Sequence, residues 1–230
     1  MTNSVAVLFS GGLDSAVLLA YELRGAERVQ PIHVRAGLAW EDAEAHAIER
    51  LLQGAPFAGR TAPSRTIVVD MRDVYPPTHW AVTGTPPAYD TPDEDVYLEG
   101  RNLGLISKAS VLCARLGLDR LSMGTLQGNP FPDATPEFLE AMARAVSLGL
   151  NRPFTIATPL RTMHKEDVVT LGIELGVPLE LTLSCMNPQR GIHCGQCSKC
   201  RERRDGFAAA GVGDKTTYAA ASPRIQNSEF

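Results

Sequence analysis

The sequence predicts an α/β protein, a doubly wound, mostly parallel sheet with a small cysteine-rich knuckle at its C-terminal end. Three observations carry that expectation. Short apolar runs alternate with segments of helical period along most of the chain, the pattern of a parallel sheet with helices on both faces. The first apolar run stops at Gly11-Gly12, where a periodic segment begins. Four of the five cysteines fall between Cys185 and Cys200.

Each element has its own reason. Residues 4–9 (SVAVLF) form a short apolar run suited to a strand buried on both faces. Ala16, Val17, Leu19, Ala20 and Leu23 recur at helical spacing over 14–23. Residues 29–35 read as a second strand. Residues 40–52 read as a helix whose acidic first turn, Glu41, Asp42 and Glu44, suits the positive end of the helix dipole. Residues 66–71 are a third strand, 101–116 a helix, 119–124 a fourth strand and 136–148 a helix. A short strand falls within 154–159, and a further helix spans 164–175. Residues 73–100 break the alternation with Pro76, Pro77, Pro86, Pro87 and Pro92 and with Asp90, Asp93, Glu94 and Asp95. A loop of that length reads equally as a binding lid and as a surface excursion. Cys113, alone in the periodic run ISKASVLCARLGL, reads as a small core residue.

Of 230 residues, 44% are hydrophobic and 21% charged, which excludes a disordered chain. Lys and Arg number 22 against 26 Asp and Glu, a net charge of −4, so a surface built to grip nucleic acid is disfavoured. No apolar stretch approaches the roughly 20 residues of a membrane span. The opening MTNSVAVLFSGG lacks a basic n-region and a small-residue cleavage site, so the expected location is cytoplasmic. The expected organisation is a nucleotide-binding domain over 1–180, a metal-binding subdomain over 181–212 and a flexible polar tail over 213–230.

Ser10-Gly11-Gly12-Leu13-Asp14-Ser15 has the makings of a phosphate cradle. Glycines let backbone approach a ligand closely, and the free N–H groups at a helix start attract an anion. Ser10 and Ser15 add hydroxyl donors. Asp14 would repel a bare phosphate, so its expected partners are loop N–H groups or Mg2+. The string lacks the lysine of GxxxxGK[ST] and is not GxGxxG. At the other end, Cys185 and the run Cys194-x-x-Cys197-x-x-Cys200 supply four thiolates, enough to close a tetrahedral Zn2+ site. Cysteines alone do not separate zinc from an iron–sulfur cluster. His193 is a competing ligand by position. Lys199, Arg201, Arg203 and Arg204 are suited to offset the negative charge of such a centre.

Two resemblances follow from these strings. SGGLDS resembles the signature of the PP-loop ATP pyrophosphatases. That resemblance implies an adenine nucleotide alpha hydrolase-like, PP-loop Rossmann-like fold. It also implies ATP contacts at Leu8, Phe9, Ser10, Gly11, Gly12, Leu13, Asp14, Ser15, Ala16, Val17, Leu18 and Val34. With the Cys-x8-Cys-x2-Cys-x2-Cys pattern added, the chain from about Val5 to Phe207 resembles the 7-cyano-7-deazaguanine synthase (QueC/ExsB) family. Gly100-Arg101-Asn102-Leu103, Phe131-Pro132-Asp133, Pro136-Glu137-Phe138, Arg152-Pro153, Thr158-Pro159-Leu160, Lys165, LGVPLELTLSCMN (175–187) and CGQCSKCRERRDGF (194–207) carry the likeness. It implies an ATP-dependent carbon–nitrogen ligase of queuosine or 7-deazapurine biosynthesis, a homodimer. Such an enzyme would adenylate 7-carboxy-7-deazaguanine, form the amide with ammonia, and activate that amide with a second ATP to leave the nitrile, 7-cyano-7-deazaguanine (preQ0).

The catalytic set it implies is Ser10, Asp14, Ser15 and Lys165, and the substrate-binding set is Arg101, Asn102, Asp133 and Glu137. The residues themselves leave simpler readings open: a solvated first-turn lysine at 165, helix capping at Asn102, an exposed arginine at 101, an N-cap at Asp133. The family's usual Gln-Arg-His string is replaced by Ala36-Gly37-Leu38, with Glu41 further on still fitting. Ala134-Thr135 stands where a cysteine and an arginine are usual. Arg35 could replace a lost charge or be a surface residue. Three functions therefore stay open: the synthase itself; a relative that joins a deazapurine-like carboxylate to a different amine, even on a protein in a defence setting; and an RNA-modifying PP-loop enzyme, supported by the basic 190–204 stretch and by the existence of PP-loop enzymes that act on transfer RNA.

Overall fold

In the computed structural model, which describes residues 3–221, the chain forms one five-stranded sheet in the order β3-β2-β1-β4-β5. The strands are β1 (Ser4–Leu8), β2 (Arg28–Arg35), β3 (Arg65–Val68), β4 (Arg120–Ser122) and β5 (Thr155–Ala157). Every pairing is parallel. The helices are α1 (Leu13–Glu22), α2 (Glu41–Gln53), α3 (Trp80–Thr83), α4 (Arg101–Arg115), α5 (Pro136–Gly149), α6 (Lys165–Glu174) and α7 (Ser198–Ala209). The chain winds outward from β1 to β3, then returns to place β4 on the other side of β1. That reversal opens a crevice at the carboxyl ends of β1 and β4, where ligands of such sheets bind.

The two-residue period of β1 divides the core between the two faces. Val5, Val7 and Phe9 pack with α1, α6 and Phe207 on one side. Ala6 and Leu8 pack with Val34, Leu105 and Leu121 on the other, under α4. Cys113 is fully buried in that second cluster, and burial pushes its thiol up to about 12. The expected elements all form, with shifted ends. β3 stops at Val68 instead of 71, although Val69 N–H still donates to the Arg35 carbonyl and Met71 N–H to that of Ala36. It is an edge strand, and only its partner on one side sustains the pairing.

Residues 73–100 are neither bare lid nor loose excursion. They contain α3 and a 3-10 turn over Asp93–Val96. Tyr75, Ala81, Val96 and Leu98 are buried in one cluster with Leu183, Met186 and the four clustered cysteines. Arg201 fastens the segment, donating to the carbonyls of Tyr89 and Thr91 at 2.9 Å and to the Asp93 carboxylate at 3.2 Å. The basic stretch thus serves internal packing. Arg203 is 2% exposed and donates to Thr216 Oγ1 and Thr182 Oγ1 at 2.9 Å. Arg204 lies 3.9 Å over the Tyr218 ring. Residues 213–221 of the expected tail therefore pack on the knuckle; 222–230 lie outside the described residues. Among the described residues no helix is long and apolar enough to cross a membrane.

Candidate active site and metal centre

The backbone after β1 turns sharply because residue 11 is glycine. Gly11 sits at φ +74, and a Cβ there would lie 3.1 Å from Ile48 and 3.3 Å from Ala47 and the Glu44 carbonyl. The Leu183 N–H donates to the Gly11 carbonyl at 2.8 Å and holds the turn from outside. Ser15 Oγ donates to the Gly12 carbonyl at 3.0 Å and lies 3.3 Å from Ser10 Oγ. Gly12 is the N-cap of α1, and no side chain among the described residues caps it. The first amides of α1 therefore stay available to an anion.

Lys165 opens α6 and reaches across to this turn. Its Nζ donates to Asp14 Oδ1 and Oδ2 at 2.8 Å and lies 2.6 Å from Glu202 Oε1 on α7. Burial alone would lower its pKa, but the Asp14 and Glu202 carboxylates outweigh burial and hold the ammonium charged well above its ordinary range. Glu202 is also paired with Lys199 at 2.5 Å, and the two lysines bring its carboxyl down to about 2 against the opposing effect of burial. The stem of Lys165 passes over Gly206, where an added Cβ would lie 2.3 Å from Lys165 Cγ. Glycine at 206 is thus a condition for Lys165 reaching Asp14.

One cleft of about 350 Å3 gathers these groups. Of the expected residues, Leu8, Phe9, Ser10, Gly12, Leu13, Asp14, Ser15, Val34, Lys165, Arg101 and Asn102 line it. Ala16, Val17 and Leu18 are buried in the core beneath α1, and Gly11 is turned toward α2. Asp133 is engaged elsewhere. Its Oδ2 accepts the Asn102 N–H at 3.0 Å and its Oδ1 the Asn102 side-chain amide at 3.1 Å, capping α4 from a distance in sequence. Burial raises its pKa, opposed by the Asn102 hydrogen bonds and by Arg101. Glu137 is exposed in the first turn of α5 and does not line the cleft. Arg35 is paired with Asp42 at 2.6 Å and borders a separate shallow groove. The Nε of Arg101 is buried with no hydrogen-bond partner among the described residues. An unpaired guanidinium nitrogen beside a cleft is suited to an anionic ligand.

Several lining residues were not assigned to the cleft from sequence, and one of them, Lys199, was read only as a charge beside the cysteines. His33 on β2 lies 3.3 Å from Glu44, both buried. Trp40 and Trp80 stack at 5.9 Å with their planes 11° apart. Lys199 and Glu202 come from α7. Their only sequence signal was charge or aromaticity inside segments already assigned to a helix start, a long loop and a basic run.

The four cysteines converge as their spacing suggests. Their sulfurs all lie within 4.8 Å of one another, with Cys194–Cys200 at 3.9 Å, Cys185–Cys197 at 4.0 Å and Cys197–Cys200 at 3.6 Å. Zn–S bonds near 2.3 Å in a tetrahedron put sulfurs about 3.8 Å apart, so the donor set fits zinc. Backbone N–H groups of Cys194 and Asn187 donate to Cys185 Sγ. His193 stands outside the set. Burial lowers its pKa to about 3, leaving a neutral ring whose Nε2 accepts the Ser184 N–H at 3.0 Å.

A parallel α/β sheet with an uncapped glycine turn at its switch point, and four cysteines gathered so that they could hold a metal, defines a nucleotide-binding fold of the PP-loop type. The family model described as queuosine biosynthesis protein QueC matches residues 4–211, and the chain belongs to that family. Among curated proteins it is 32% identical to a 7-cyano-7-deazaguanine synthase of Thermoplasma volcanium, over 95% of this chain and 92% of that one. It is 34% identical to one of Methanothrix thermoacetophila, over 92% and 96%. A solved 4-thiouridine synthetase, in complex with RNA and bound ATP, superposes with a TM-score of 0.50 at 19% identity over 81% of this chain and 46% of that one, a likeness of fold.

Proposed function

We propose that the protein converts 7-carboxy-7-deazaguanine and ammonia to 7-cyano-7-deazaguanine with ATP. The observation that supports this most is Lys165 meeting Asp14 beside the uncapped start of α1, in a chain of the QueC family. A carboxylate does not accept ammonia at neutral pH because its oxygen leaves poorly. Transfer of AMP to that oxygen expels pyrophosphate and creates a good leaving group. Attack by ammonia then releases AMP and forms the amide. Repetition at the amide oxygen, followed by loss of AMP and a proton, leaves the nitrile.

In this scheme the α1 amides with Ser10 and Ser15 receive the pyrophosphate. Lys165 neutralises charge as it departs, a preorganised electrostatic role. Asp14 orients Lys165 and, with the loop hydroxyls, is the group that would hold Mg2+, whose contribution is further charge neutralisation. Arg101 pairs with the substrate carboxylate, a role supported by its unpartnered Nε among the described residues and its position in the cleft lining. Zinc on four thiolates has no open position and serves the fold alone. The companion reading, in which the amine differs from ammonia, draws on the replacement of the family's Gln-Arg-His by Ala36-Gly37-Leu38.

Mass spectrometry of a reaction with 7-carboxy-7-deazaguanine, ATP, Mg2+ and ammonium, with AMP measured in parallel, tests both. The expected outcome is the nitrile with AMP released at each activation. Absence of nitrile, with AMP formed only when another amine is supplied, selects the companion reading; no AMP under any condition overturns the scheme.

A further inference from the structure

The reaction proposed above needs one cleft to seat two flat heterocycles, an adenine and a deazapurine. The cleft has two separate apolar walls. One stands at the strand ends, where Leu8, Val34 and Leu105 pack together under α4. The other stands on the side of the metal centre, where Trp40, Trp80, Val96, Leu98, Leu183 and Met186 belong to a different cluster. The strand-end wall coincides with the expected adenine contacts at Leu8 and Val34. The second wall has no occupant assigned.

Its tryptophans are held as a prepared surface. Trp40 is 7% exposed and packs against the near-parallel face of Trp80, which remains half-buried at the cleft. His79 braces Trp80 at 5.5 Å with its ring tilted 30° to the indole, and His79 itself stacks on Tyr75 at 4.8 Å. Tyr75 is anchored in turn by its hydroxyl, which donates to the Glu99 carbonyl at 2.8 Å. The Ala39 N–H donates to the Ala81 carbonyl at 2.9 Å and ties the two tryptophan-bearing segments together. Aromatic faces fixed in this way stack a heterocycle with little ordering cost.

We infer that Trp40 and Trp80 form the stacking wall for the deazapurine-type substrate and determine its specificity. Trp40 stands two residues after Ala36-Gly37-Leu38, the stretch that lacks the family's arginine and histidine. Recognition by charge at that point gives way to recognition by a flat apolar face. Arg101, with its unpaired Nε in the same cleft, addresses the carboxylate. The assignment rests on the reaction proposed above.

The chain has two tryptophans, and both are in this wall, so intrinsic tryptophan emission reports on it alone. The full protein and its Trp40→Phe variant are titrated with 7-carboxy-7-deazaguanine alone, then with a non-hydrolysable ATP analogue alone. Saturable quenching by the deazapurine and little change with the ATP analogue is the expected result. Trp80→Ala should raise KM for the deazapurine about tenfold or more, with KM for ATP near wild type, and Trp80→Phe should recover most of the loss. The opposite pattern, quenching by the ATP analogue and none by the deazapurine, assigns the wall to adenine and overturns the inference. Nitrile formation in the same samples separates the two claims. Nitrile without quenching removes the wall alone, and quenching without nitrile supports the wall while removing the reaction. Neither signal removes both.

Discussion

The turn at Ser10–Ser15 and the knot at Cys185–Cys200 are both short segments that converge polar groups on one point, yet they treat those groups in opposite ways. At the turn, no side chain among the described residues caps the helix start, and the hydroxyls bond to each other, to the Gly12 carbonyl and to the Gly12 N–H. At the knot, the sulfurs meet one another and accept backbone N–H groups from their own loop. The turn leaves backbone donors open to the cleft, as the nucleotide site proposed for it requires, whereas the cysteine cluster meets its donors from within, as a structural metal site would. The two regions are also joined. Cys197 is the N-cap residue of α7 and Cys200 lies in its first turn; Glu202, one turn on, holds Lys165 against Asp14. The closed site thus fixes a side chain of the open one.

Five outcomes would sharpen or break this comparison. Asp14→Ala should cut AMP formation by about a thousandfold while the protein stays folded and keeps its metal; near-normal turnover would remove the turn from the chemistry. Cys197→Ser, or stripping the metal with a chelator, should lower Tm by about 10 °C and abolish activity with it, because metal binding there is folding energy. Unchanged Tm with metal absent by elemental analysis would show the knot is not structural. Glu202→Gln should reduce kcat about tenfold with full metal content, the signature of a linkage between the regions; an unchanged kcat would sever it. Lys165→Met should cost about 2 kcal/mol of stability in denaturant titrations. Since the pKa of Lys165 is raised in the fold, its stabilisation is complete below the ordinary 10.5 and fades only as pH rises through the folded value. The deficit should therefore be the same at about pH 7 and about pH 9; a deficit already shrinking across that interval would contradict the pairing. Smallest is Asp133→Ala, which removes the distant cap of α4 at about 1 kcal/mol and leaves KM for the deazapurine little changed. A large KM effect would return Asp133 to the substrate site.

Much of the fold was legible because its signals are local. Short apolar runs mark the five strands and period-3.6 patterns mark α1, α2, α4, α5 and α6; ends such as 69–71 shift where edge pairing fades, and α7, a polar and charged helix, carries no apolar period to read. SGGLDS and the cysteine spacing are contiguous strings whose geometry follows from a few bonds. The substrate set was read less completely. Asp133 looked available from sequence but is occupied by Asn102, a partner 31 residues away. Loop 73–100 looked irregular because its buried residues are held by the knot and not by any period of its own.

The succession of strands and helices, the glycine turn and the clustering of four cysteines are legible in the chain alone, since each depends on neighbours in sequence. It takes the folded chain to clamp Lys165 between Asp14 and Glu202, to turn Arg201, Arg203 and Arg204 inward, and to bring Trp40 and Trp80 together across 40 residues of sequence. Those arrangements depend on which surfaces the sheet brings together, and side-chain pairing across such distances leaves no periodicity in the chain.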